Sequence, residues 1–237
     1  MSLQKELCLK FSILSLAIVF PLSFAAYGSS SSPIGSYSNG SIRNAVNLPE
    51  EGNGYMRLFV DRNRGWGSEE LVSMIVEASS EMNQLFPDKD RLQVGDLGAQ
   101  TGGQITRHGS HQNGLDVDLT YYRNNGQEQS PNQANGFSEV MVINGKLSAN
   151  FDITRNWELM KTLHKYGNVQ RIFVDPVIKT ELCKHAKAIG DDRDHAEVLR
   201  SLRPYQKHAD HLHVRLYCPI GAKECIPQAE VPAGTGC

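Results

Sequence analysis

Two short stretches of this 237-residue chain concentrate side chains that bind metals and move protons. The first, Ser110-His111-Gln112-Asn113-Gly114-Leu115-Asp116-Val117-Asp118, brings a histidine through a glycine turn into a run with carboxylates on alternate residues. The second, His208-Ala209-Asp210-His211-Leu212-His213, ends in an H-x-H pair. Two imidazole nitrogens and one carboxylate oxygen suit zinc, and three protein ligands leave a fourth position for water, the open geometry that a hydrolytic site requires. His111, Asp118 and the H-x-H histidines are therefore the candidate donors. The helical H-E-x-x-H motif is absent, so the site must be assembled from strands and loops.

The elements that would position these residues can be read from periodicity. LDVDLTY alternates strictly, with Leu115, Val117 and Leu119 on one face and Asp116, Asp118 and Thr120 on the other. HLHVRLYC repeats the pattern, opposing Leu212, Val214 and Leu216 to His211, His213 and Arg215. Asp118 and His213 can thus face one site on the solvent side of a sheet. Leu71, Met74, Ile75, Ala78, Met82, Leu85 and Phe86 follow helical spacing behind a Ser68 cap and before Pro87. Further helices are expected over Thr154–Gly167, with Trp157, Met160 and Leu163 inward, over Pro176–Gly190 behind Asp175, and over Asp192–Leu202. RLQVGDLG and VQRIFVD read as strands, LGAQTGGQITRHGSH as a loop, and Asn144-Gly145 as the turn of a hairpin. Residues 26–66 read as an extended segment draped over the domain. Without regular strand-helix-strand phasing, the fold class is α+β: a single domain with a mainly antiparallel central sheet flanked by helices.

The compartment fits a metal hydrolase. Lys5 and Lys10 precede the apolar run FSILSLAIVFPLSFAA, which predicts a signal peptide over residues 1–25, cut between Ala25 and Ala26, and a mature domain over 26–237. Pro21 and the shortness of the run argue against a stable membrane span. Removing Lys5, Lys10 and Glu6 leaves 22 basic against 25 acidic residues, a charge of -3 that gives no case for nucleic acid. Cleavage also removes Cys8. The remaining four cysteines in an oxidising space predict two disulfides, with Cys218–Cys225 favoured because it closes a short loop after a strand and Cys183–Cys237 because it pins the C-terminus.

SHQNGLDVDL resembles the S-x-H-x-x-G-x-D-x-D signature, and HLH the downstream H-x-H signature, of the LAS metallopeptidases, the group that includes lysostaphin, the D-Ala-D-Ala peptidases and the hedgehog signalling domain. Within that group, IGSYSNGS, GDLGAQTGGQITRHGSH, RIFVDPVIKTELC and LRPYQKHADHLHVRLYCP are similar in order and spacing to the penicillin-insensitive murein endopeptidases, over roughly residues 34 to 225. The resemblance implies zinc held by His111, Asp118 and His213. It places His211 beside the metal as general base or transition-state stabiliser, with His208 a second candidate. It implies hydrolysis of D-alanyl to meso-diaminopimelyl cross-links between peptidoglycan stem peptides, in the periplasm. Penicillin would not inhibit such an enzyme, because a metal mechanism offers no serine to acylate.

Two other functions are weighed against this one: a D-Ala-D-Ala carboxypeptidase or dipeptidase of the same superfamily, and a non-catalytic wall-binding module that keeps the metal. Asp116 is balanced between orienting a ligand histidine and a solvated or core-capping role, and His108 between lining the cleft and no role. An ion pair is the expected partner of Arg215. Solvated faces are expected for His164, His185 and His195, and core or rim positions for Trp66, Trp157 and Tyr205. The 121–152 insertion is expected to cover the substrate as a lid, and a homodimer is left open as an assembly.

Overall fold

The computed structural model describes residues 30–132 and 136–237; the expected signal peptide lies outside them. In chain order the strands are β1 (Ser32–Ser36), β2 (Asn39–Arg43), β3 (Val46–Asn47), β4 (Glu51–Gly52), β5 (Tyr55–Arg57), β6 (Trp66–Gly67), β7 (Leu92–Val94), β8 (Asp116–Thr120), β9 (Val142–Ile143), β10 (Lys146–Leu147), β11 (Val169–Val174), β12 (Leu202–Pro204) and β13 (His211–Leu216). The helices are α1 (Glu69–Leu85), α2 (Ile153–Tyr166), α3 (Pro176–Ile189) and α4 (Ala196–Ser201).

Seven strands form the central sheet in the order β12-β11-β13-β8-β7-β5-β4. The β11–β12 and β5–β7 pairs are parallel and the other four antiparallel, so the expected α+β class with a mainly antiparallel sheet holds. The inward residues of β8 and β13 (Val117, Leu119, Leu212, Val214) pack with Met74, Ile75, Trp157, Met160 and Leu163 from α1 and α2. Each long helix starts on a side-chain cap that accepts an orphan backbone N–H: Ser68 from Leu71, Asp152 from Arg155, and Asp175 from Val177. Gly190 ends α3 in the left-handed conformation. Asn144 and Gly145 both have positive φ, as a tight hairpin turn between β9 and β10 demands.

Two expectations need correction. Residues 26–66 are not merely draped over the domain, because β4 and β5 extend the central sheet; parallel pairing of Tyr55 with Leu92 draws that segment into the edge. The last helix is shorter than Asp192–Leu202, since Leu202 instead pairs with Ile172 in the sheet. Both disulfides join the favoured pairs, Cys183–Cys237 and Cys218–Cys225. No helix among the described residues is long and apolar enough to cross a membrane.

Candidate metal centre

The antiparallel register of β8 and β13 sets His213 directly against Asp118 and Arg215 against Asp116. Their side chains share one face of the sheet, as the alternation predicts, but that face is not solvated: all five residues of β8 are buried, Asp116 completely. The loop between β7 and β8 folds over it and delivers His111.

His111 enters through a left-handed residue of its own (φ 68°) followed by Gly114 (φ 75°). A Cβ on Gly114 would meet Ile42 Cδ1 at 2.5 Å, so this glycine answers both a backbone and a packing demand. His111 Nδ1 lies 2.7 Å from the Leu97 carbonyl, which can only accept, so the proton sits on Nδ1 and Nε2 keeps its lone pair. The backbone N–H of His111 donates to Asp116 Oδ2 at 3.0 Å.

Asp118 Oδ1 is the focus of the site. It lies 3.1 Å from His213 Nδ1, 3.4 Å from His111 Nε2 and 3.9 Å from His211 Nε2. These contacts are close but not aligned as hydrogen bonds: Asp118 Oδ1 and His111 Nε2 are buried atoms without a hydrogen-bond partner among the described residues. Buried polar atoms are rarely left so. Donors at 2.0–2.1 Å around a tetrahedral zinc stand about 3.3 Å apart, a spacing that the 3.1 and 3.4 Å separations match. The residues therefore fit a metal. His108, His111 and Asp118 also gather ligand atoms within 4.8 Å of one another. His108 lines the cleft, with Nδ1 3.6 Å from Asp118 Oδ2, while its Nε2 is engaged by Asp96 at 3.0 Å.

Asp116 ties the site together. Its carboxylate receives Arg215 Nε at 2.7 Å and Nη2 at 2.9 Å, and its Oδ1 stands 3.3 Å from His213 Nε2. Asp116 is buried rather than solvated and Arg215 makes the expected ion pair, while His213 Nε2, though close to the carboxylate, has no hydrogen-bond partner among the described residues. Burial acts to raise Asp116, but His213 and Arg215 outweigh it and hold the carboxyl well below the usual carboxylate range. The same contest, won by His111 and His211, lowers Asp118.

His211 and His208 stand beside this cluster with ring centres 4.9 Å apart. His211 Nδ1 meets Asp210 Oδ1 at 2.6 Å, and the ring stacks on Phe137 at 4.6 Å. Burial acts to lower His211, yet Asp118 and Asp210 raise it. His208 is pushed down to about 4, first by burial and then by the neighbouring imidazoles. Its Nδ1 faces the carbonyls of Tyr205 and Gln206, leaving Nε2 as the lone-pair atom.

These residues floor a cleft of 610 Å³. Several of its parts escaped the sequence. Phe59, Phe137 and Phe173 line its walls, joining Tyr205, whose expected core or rim position is a rim one, and buried Asp96 anchors Arg62 and Arg64 at 3.1 Å each in addition to His108. The only available signals were a lone acid in GDLG and the Asp210 that precedes H-x-H. The insertion is packed down, with a paired amide contact between Gln93 and Gln129 and the Met141 N–H on the Ala209 carbonyl, and it carries Phe137 into the wall.

A family model described as penicillin-insensitive murein endopeptidase matches residues 33–237. Proteins of that name share 36% identity over 212 residues in Haemophilus influenzae, covering 87% of this chain and 70% of the relative. The Pectobacterium atrosepticum protein shares 38% over 211 residues (86% and 71%), and that of Escherichia coli K12 shares 35% over 215 residues (88% and 74%). The signatures, the convergent buried donors and this kinship agree: the chain belongs to the penicillin-insensitive murein endopeptidase family.

Proposed function

We propose that the chain is a zinc-dependent, periplasmic murein endopeptidase that cuts the D-alanyl to meso-diaminopimelyl bond of peptidoglycan cross-links. The observation that carries this reading is the buried Asp118 Oδ1, faced by three imidazoles and hydrogen-bonded to none. His111 Nε2, Asp118 Oδ1 and His213 Nδ1 would hold the metal. His213 is preferred to His108 because it is fixed by strand pairing and backed by Asp116, whereas His108 sits on a loop and is engaged by Asp96. When bound, zinc supplies Lewis acidity, making a water acidic near neutral pH and polarising a carbonyl.

The chain's own residues do the rest. His211 Nε2, with Asp210 fixing the ring through Nδ1, takes the proton from the attacking water and returns it to the leaving amine nitrogen. Asp118 and then Asp210 outweigh burial and raise its affinity for that proton, as a general base requires. His208 stays neutral, and its Nε2 accepts a hydrogen bond from the substrate backbone, which positions the scissile amide. Phe59, Phe137, Phe173 and Tyr205 hold the peptide and exclude water from the floor.

Zinc content and sacculus digestion, measured together for wild type, His213→Ala and His108→Ala, test the assignment. Wild type is expected to bind one zinc and convert cross-linked dimers to monomers; His213→Ala should lose both properties, and His108→Ala should keep the zinc. Release of free D-alanine without loss of dimers would instead identify a carboxypeptidase. Normal digestion by His213→Ala would refute the ligand set.

A further inference from the structure

Four cations line the cleft: Arg62, Arg107, Lys207 and Arg215. Two are committed, Arg215 to Asp116 and Arg62 to Asp96. Arg107 and Lys207 are exposed and make no hydrogen bond or ion pair among the described residues. The acids lining the cleft cannot serve them: Asp96 is shared by Arg62, Arg64 and His108, and Asp118 faces the histidines. The rim therefore carries two uncompensated positive charges.

Their placement is specific. Both residues adopt the left-handed backbone conformation that side chains with a Cβ rarely take, with φ 74° at Arg107 and 69° at Lys207. Each is one peptide unit from a fixed imidazole of the site. His108 is held by Asp96, and His208 by the Tyr205 and Gln206 carbonyls. Arg107 lies on the loop from β7 to β8 and Lys207 on the loop from β12 to β13, so two separate loops bring the charges to one cleft.

We propose that Arg107 and Lys207 are specificity-determining residues that bind free carboxylates of the peptide flanking the scissile bond. This rests on the murein reading above and adds the chemistry by which the substrate is selected. A D-alanyl to diaminopimelyl cross-link keeps a free carboxylate on the carbon that bears the scissile nitrogen, and its stems carry others. A guanidinium presents a planar fork to such a group, and an ammonium a mobile point charge. A peptide with amidated carboxylates would lose both partners.

The test compares purified cross-linked muropeptide dimers with the same dimers after carboxylate amidation, using the mature zinc-loaded protein. Wild type is expected to prefer the free-carboxylate dimer about tenfold or more in kcat/KM. Arg107→Gln and Lys207→Gln should each shrink that preference about threefold through KM, the double variant should bring it close to one, and Arg107→Lys should retain most of it. A preference that survives undiminished in the double variant, or equal losses on both dimers, overturns the proposal. Calorimetric binding of an uncleaved free-carboxylate tetrapeptide gives a readout that needs no hydrolysis. Should wild type cut neither dimer, the murein reading fails. Binding then decides the role of the cations: about tenfold tighter binding by wild type than by the double variant supports it, and equal binding overturns it.

Discussion

Replacing Asp116 with asparagine separates the two tasks of that carboxylate. It receives both arms of Arg215, at 2.7 and 2.9 Å, and stands behind His213 at 3.3 Å. Arg215 is only 7% exposed, so the neutral amide strands a buried cation, which costs about 3–5 kcal/mol in the metal-free protein. The proposed ligand histidine loses the carboxylate that stands 3.3 Å behind it and strengthens its basicity, which should lower metal affinity about 10- to 100-fold, or about 1.4–2.7 kcal/mol. Urea unfolding of chelator-stripped protein reads the first effect, and competition with a chromophoric chelator for zinc reads the second. Adding Arg215→Met removes the stranded charge and should restore most of the stability, while zinc affinity stays low because His213 Nε2 still lacks its carboxylate. A folded Asp116→Asn protein that binds zinc within threefold of wild type would refute this account, as would a double variant that recovers affinity together with stability.

Three further outcomes follow from the same structure. Gly114→Ala forces a Cβ into Ile42 and a side chain into the left-handed region, so it should lose about 1–3 kcal/mol of stability by denaturant titration and misplace His111. His164 is held down to about 4 by burial, against 6.5 in the unfolded chain. The neutral folded form is therefore penalised only in acid: stability is full above about pH 6.5, falls by up to about 3 kcal/mol as the pH drops to about 4, and His164→Gln should flatten that difference in unfolding curves. On loop-closure entropy, loss of Cys183–Cys237, which spans 54 residues, should cost about 4 kcal/mol and loss of Cys218–Cys225, which spans 7, about 2 kcal/mol. Paired serine variants compared by thermal unfolding check that order.

The features legible in the sequence are those written in local periodicity. Alternation in LDVDLTY and HLHVRLYC identified two strands and their polar faces, because side-chain direction in a strand depends only on residue parity. Ser68 and Asp175 start helices by bonds made within three residues, so those boundaries came within a residue or two. What could not be read depends on partners far along the chain. Parity says that Asp116 and Asp118 share a face, but not that the 95–115 loop buries it. Asp96 is one acid among glycines until Arg62, Arg64 and His108 converge on it. Strand β12 has three residues, too few for any pattern, and exists because β11 offers it a free edge.

The division of labour among the proposed ligands follows from the same physics. Asp118 and His213 lie on neighbouring strands in direct register, so the spacing of their backbones is fixed by the hydrogen bonds of two central strands, and side-chain support has only the His213 ring to steady. His111 comes from a loop and has no such frame. Its position must be over-determined locally, which accounts for the left-handed backbone at His111, the glycine three residues on, and bonds to Leu97 and Asp116 from both its ring and its backbone. Asp116 then couples the two modes of support, since one carboxylate fixes the loop histidine through its N–H and stands against the ring of the strand histidine. The two aspartates of D-x-D thus have different parts: the second faces the proposed metal position, and the first makes a loop residue as well placed as a strand residue.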